Sequence, residues 1–253
     1  MPPYLRLLRR LLAALCLLCA LPLFAADAEE AREDIQAIRD EIEAESKCYA
    51  APGPEGSRPR AICVWRPAIA GSDKLPTLYM ADGMIGIYVA AIPLKRAMES
   101  GTIAPAMIVG IDPQADPEDR AAEYVDHFHG PRSYNAHETW VITYVIPWAE
   151  RMRGAAADPA QRYIGGFSNG ADWAATMAGS HTDLFAGALI HSPMMMKTKT
   201  AKHWKGLGSE KLRWVVTGGT EEVSGTVKPK AELPKKLARV LDKTGAEVRS
   251  CFG

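Results

Sequence analysis

The sequence has no surplus of charge in either sign: 30 Lys and Arg stand against 30 Asp and Glu. A basic excess that would point to nucleic acid is missing, and so is an acidic tail for a basic partner. No apolar run reaches the roughly 20 residues that a membrane-spanning helix needs. Cysteine is scarce. Beyond residue 26 only Cys48, Cys63 and Cys251 remain, and they do not stand at the spacing of a structural zinc site. Asp126-His127-Phe128-His129 has no third ligand at recognisable spacing. No metal or organic cofactor is therefore expected. Internal repeats and low-complexity linkers are lacking too, which leaves one domain. Histidine is missing after residue 203, an absence that matters below.

What is there begins with an export signal. Arg6, Arg9 and Arg10 form a basic start, Leu11 to Phe24 is apolar and uncharged, and Ala25, Ala26 and Ala28 offer small residues for cleavage. The expected product is periplasmic or secreted, with no stable membrane anchor after cleavage. In an oxidising compartment Cys48 and Cys63, flanking a Pro/Gly-rich turn, stand where two antiparallel strands could bridge them. Sequence alone does not fix the connectivity, and Cys251 is left over.

Residues 29–46 are acidic, with Ile35, Ile38 and Ile42 on one helical face. Short apolar runs follow at 61–65, 76–80, 106–111, 163–164, 186–190, 213–217 and 246–252. Helical patterns stand between them at 88–100, 137–153, 171–179 and 233–244, and 112–135 reads as loop. Strands alternating with helices mean βαβ crossovers and a mainly parallel sheet covered on both faces. Ligands in such folds bind at the carboxyl ends of the strands.

The sharpest motif is Gly166-Phe167-Ser168-Asn169-Gly170, between a predicted strand and a predicted helix. That is the context of a nucleophile elbow, where a tight turn lifts a serine hydroxyl above the sheet. Small flanking residues let the backbone segments approach closely. The N–H of Asn169 then faces the substrate oxygen as one donor of an oxyanion hole. A plain glycine-rich turn is the alternative.

Arg60 to Gly83 resembles the opening of the putative esterase family, which includes esterase D, feruloyl esterase domains and enterochelin esterases. Residues 106–112, Arg120-Ala-Ala-Glu123-Tyr124, 137–150 and 185–193 resemble successive later parts of it. Asn169 departs from the methionine many members carry there. The resemblance implies a fold and a chemistry. The fold is α/β: an α/β-hydrolase three-layer sandwich with a mainly parallel central sheet, its last part truncated. The organisation is a signal over 1–26, a lead-in helix and first strand over 27–59, and the hydrolase domain over 60–253. The chemistry is a Ser–acid–His triad in that chain order. Glu222, or its neighbour Glu221, is the implied acid, because the family's acid stands about two residues past the threonine. Gly83, or Met84, supplies the second oxyanion donor. Asp82, Met84, His191 and Met194 are the expected substrate-binding residues.

The implied histidine does not appear. All six, His127, His129, His137, His181, His191 and His203, precede the acid. A serine without a base is a poor nucleophile at neutral pH. The sequence is then expected to stop short of its base; the alternative is a substitute histidine, for which His191, ending the strand beside the elbow, is the candidate. Met194-Met-Met196 suits a pocket or a core. The basic stretch Lys197 to Lys205 suits an anionic ester, such as a catechol siderophore, or a solvated loop. The expected function is an exported serine esterase acting on small carboxylic esters, with siderophore and feruloyl types among the candidates. An acyltransferase of the same fold and a non-catalytic binder are the alternatives.

Overall fold

The computed structural model describes residues 27–54, 57–71, 74–113, 117–126, 131–194, 208–219 and 232–253. Eight strands form one sheet in the order β1-β2-β4-β3-β5-β6-β7-β8. They are β1 (Ser46–Ala51), β2 (Arg60–Trp65), β3 (Thr77–Ala81), β4 (Met107–Ile111), β5 (Arg162–Phe167), β6 (Gly187–His191), β7 (Arg213–Gly218) and β8 (Glu247–Phe252). β1 and β2 pair antiparallel, as do β2 and β4; the six strands from β3 to β8 run parallel to one another. The β3 and β4 residues are all buried, as their unbroken apolar runs require of strands covered on both faces.

One face carries α2 (Gly83–Glu99), flanked by α1 (Asp27–Ala44). Ile87, Ala90, Ala91 and Leu94 of α2 pack on Leu78, Met80 and Ile108. Of the three isoleucines on α1, Ile42 is buried, Ile38 is half-buried against the same cluster and Ile35 is exposed, so the stripe docks over its C-terminal part. Lys95 of α2 pairs with Glu41 of α1 and with Glu45 just past its end. The other face carries α4 (Pro131–Trp140), a wider π turn (Val141–Val145), α5 (Ile146–Met152), α6 (Asn169–Ser180) and α7 (Glu232–Asp242). Val141, Val145, Trp173, Ala174 and Leu237 from these helices bury Tyr79, Val109, Ile164 and Val216. These are the three layers the alternating pattern implies.

Three expectations are corrected. Residues 112–135 are not all loop: α3 (Pro117–Tyr124) and the start of α4 lie there. Their polar sequence misleads because Glu123, Tyr124 and Tyr134 are buried in specific contacts. α2 starts at Gly83, not Tyr88, so Pro93 falls inside it. Proline cannot donate to the carbonyl four residues back; that residue is Val89, which is exposed. The predicted helix over 137–153 is interrupted by the π turn just before Pro147, where the ladder has to yield.

Cys48 and Cys63 are register partners across β1 and β2 and form a disulfide. Among the described residues no helix is long and apolar enough to cross a membrane.

Candidate active site

β3, β5 and β6 lie side by side and end at the same edge of the sheet. Each is followed by a non-glycine residue with positive φ: Asp82 at 68°, Ser168 at 58° and Ser192 at 49°. Side chains avoid that region, and holding one there costs about 1–3 kcal/mol. Three such residues on three adjacent strand ends mark the edge where the fold accepts strain.

Ser168 sits between β5 and α6 at φ 58°, ψ −126°. The surrounding glycines are obligatory. A Cβ on Gly166 would lie 2.2 Å from the Gly170 carbonyl oxygen; one on Gly170 would lie 2.7 Å from Ala81 Cβ. The turn is fixed by its backbone: the Ser168 N–H donates to the His191 carbonyl, and the Ser168 carbonyl accepts from Ala171 and Asp172. The serine is half-buried rather than sunk in the core. Asn169 opens α6, and the first N–H groups of a helix have no intrahelical acceptor. Its N–H is thereby available to an anion.

The loop after β3 meets this turn. Gly83 opens α2 at φ 53°, and a Cβ there would overlap Asp112 Oδ1. Met84 is half-buried beside it. Asp82 is expected to bind substrate, but both of its carboxylate oxygens are engaged by Arg120, at 2.6 and 2.8 Å. Its backbone N–H donates to the Tyr124 hydroxyl at 3.0 Å. Arg120 and Tyr124 both lie on α3, whose Glu123 forms a buried ion pair with Arg60. Burial and the neighbouring Asp82 charge raise the pKa of Asp112, partly offset by Arg60.

On the other side, Asp172 in the first turn of α6 is buried, and its carboxylate accepts the Met194 N–H at 3.1 Å. The β6 end is thus tied to the elbow helix, which brings the half-buried Met194 to the same edge. His191 pairs through Nδ1 with the Thr217 hydroxyl, and its ring lies 5.2 Å from that of Phe167. Its backbone serves Ser168 while its ring is turned to β7 and Phe167. Glu221 and Glu222 lie outside the described residues, as do Met195 to Lys205 and the 127–129 histidines. β7 and β8 run parallel with Gly218 opposite Phe252, so both strands reach the edge that carries Ser168.

Among the described residues no group of three or more His, Cys, Asp or Glu side chains could hold a metal ion. Sequence reading missed Arg120, Tyr124 and Asp172 as organisers of the site. The first two carried a signal in their fixed spacing with Glu123; Asp172 carried only the oddity of a carboxylate in an apolar helix.

The model of the family described as Putative esterase matches residues 57–230. A ferulic acid esterase superposes with a TM-score of 0.64 at 15% identity, over 83% of this chain and 90% of its own. An IroE-like serine hydrolase from Shewanella oneidensis gives 0.69 at 14% identity, over 83% and 73%. An enterochelin esterase from Shigella flexneri gives 0.64 at 16%, over 82% of this chain but 52% of its own. At these identities the likeness is one of fold. No curated protein matches the chain.

Proposed function

This chain belongs to the Putative esterase family, and from that premise we propose that it is an exported serine hydrolase cleaving carboxylic esters through an acyl-enzyme on Ser168. The observation that carries the reading is the backbone of Ser168, at φ 58° and ψ −126° between a parallel strand and a helix, with no room for side chains at Gly166 or Gly170. A chain tolerates such a corner where a hydroxyl has to stand clear of the sheet.

Ser168 Oγ attacks the ester carbonyl while its proton passes to a base. The oxyanion is held by the N–H of Asn169 and that of Gly83 or Met84, where each donor supplies on the order of 10²–10³ in rate. The carbonyl re-forms, and the alcohol leaves with the proton. Water then attacks the acyl-serine, giving up its proton to the same base, and releases the carboxylic acid. Glu222, or Glu221, orients that base. The parallel pairing of β8 with β7 supports a base carried at this edge of the sheet, since both strands end there. Substrates are small esters of the siderophore or feruloyl type, with Met194 beside the acyl group. The Leu11–Phe24 run behind Arg9 and Arg10 supports export to the periplasm or beyond.

A fluorophosphonate probe tests this on the full-length form. The expected result is a single adduct on Ser168, lost in Ser168→Ala. An unlabelled protein, or labelling unchanged in Ser168→Ala, removes the serine mechanism.

A further inference from the structure

α3 contributes no side chain to the reaction proposed above, yet it grips the loop that precedes the second oxyanion donor. Arg120 forks onto both oxygens of Asp82. Its guanidinium also lies over the Tyr124 ring, 5.1 Å from the centroid. The Tyr124 hydroxyl accepts the Asp82 N–H and points its own proton toward the Ile111 carbonyl at the end of β4. The helix is in turn moored to β2 by the buried Arg60–Glu123 pair. The residue so held is one of the three strained ones, with φ 68°. An aspartate left to itself would relax from that conformation and swing the next two N–H groups with it.

The loop also touches the elbow. A Cβ on Gly170 would meet Asp82 Oδ2 at 3.1 Å and Ala81 Cβ at 2.7 Å, so the first turn of α6 rests on the clamped residue. Asp82 therefore stands between α3 and the helix that begins after Ser168. A bidentate guanidinium fixes direction as well as charge, which an ammonium cannot do.

We propose that Arg120 and Tyr124 are positioning residues for acyl transfer: together they hold Asp82 in its left-handed turn and so fix the N–H groups of Gly83 and Met84 against the elbow. This rests on the Ser168 reading and deepens it. Tight hydrogen bonds to the oxyanion form only in the transition state, so loosening the clamp lowers kcat and leaves KM nearly unchanged.

The test uses the full-length protein and its Arg120→Met, Tyr124→Phe, Asp82→Asn and Arg120→Met/Asp82→Asn variants. Three quantities are measured: the rate of fluorophosphonate capture by Ser168, kcat and KM on an aryl ester, and amide exchange over residues 81–86. Arg120→Met is expected to slow capture by about 10–100-fold, as loss of second-layer support typically does, with KM within about threefold. The double variant is expected to be no slower than Arg120→Met alone. Tyr124→Phe keeps the packing, guards against a fold that fails, and is expected to lose several-fold. Exchange over 81–86 should quicken in both. Capture within about twofold of the parent in Arg120→Met and Tyr124→Phe overturns the proposal. So does a loss confined to KM, which would make Arg120 a substrate contact. If the parent itself is not captured, the Ser168 reading fails, and the exchange rates still decide the clamp: unchanged rates in both variants refute it.

Discussion

At Ser168 the backbone occupies a region that suits glycine and no other residue. Ser168→Gly should therefore make the protein more stable while removing its chemistry. Relief of about 1 kcal/mol is expected, a rise of roughly 2–4 °C in thermal midpoint for a chain of this size. Calorimetry beside probe labelling checks both halves. A drop in midpoint would mean that the serine hydroxyl is needed for packing. At this scale Ser168, Gly166 and Gly170 were legible, because a five-residue pattern between strand and helix states its own geometry. Asp82 was legible as a position but not in its role. Its partner Arg120 lies 38 residues on, beyond the reach of any local pattern.

Among the elements, the strand–turn–helix of β5 and α6 is the least forgiving. Gly166→Ala would press a methyl into the Gly170 carbonyl, 2.2 Å away. Backbone has to move to admit it, at a cost of about 2–3 kcal/mol. Urea unfolding should show that loss, and labelling of Ser168 should fall with it. The hairpin of β1 and β2 behaves differently. Its disulfide closes a sequence separation of 15, and removing such a link destabilises by about 3 kcal/mol through the unfolded chain. Cys48→Ala/Cys63→Ala should show that loss in urea with labelling of Ser168 retained, since the hairpin lies at the far edge from β5. The element the sequence hid was α3. Pro117 to Tyr124 is mostly polar, and its buried Glu123 and Tyr124 read as solvated residues until Arg60 and Asp82 are placed beside them.

Over the whole molecule, one buried group weighs against the folded state in acid, while His181 and Asp112, whose pKa values are raised, act in the opposite direction. His137 lies at 0% exposure among Tyr124, Trp140 and Trp173, and neither ring nitrogen has a hydrogen-bond partner among the described residues. Burial, with some help from the Arg60 charge, lowers its pKa from 6.5 to about 3. The unfolded chain thus binds a proton at pH values where the folded chain does not, and stability falls as pH drops below about 6.5. At pH 4.5 the loss from this one group is about 2–3 kcal/mol, at 1.36 kcal/mol per unit. Urea midpoints at pH 7 and 4.5 measure it, and His137→Phe should flatten the difference. The sheet itself was well announced by the sequence. Short unbroken apolar runs such as Met107–Ile111 suit strands covered on both faces. The strand order was not, because neighbours such as β3 and β5 are about 80 residues apart and meet through the packing of helices between them.

The bridge between β1 and β2 has a mechanical consequence. Tension applied between the chain ends travels through the sulfur link and bypasses the segment from Cys48 to Cys63. That segment stays unloaded, shortening the stretched contour by about 50 Å at roughly 3.6 Å per residue. Pulled molecule by molecule, the oxidised protein would come up short by that length, and treatment with a reductant would give it back.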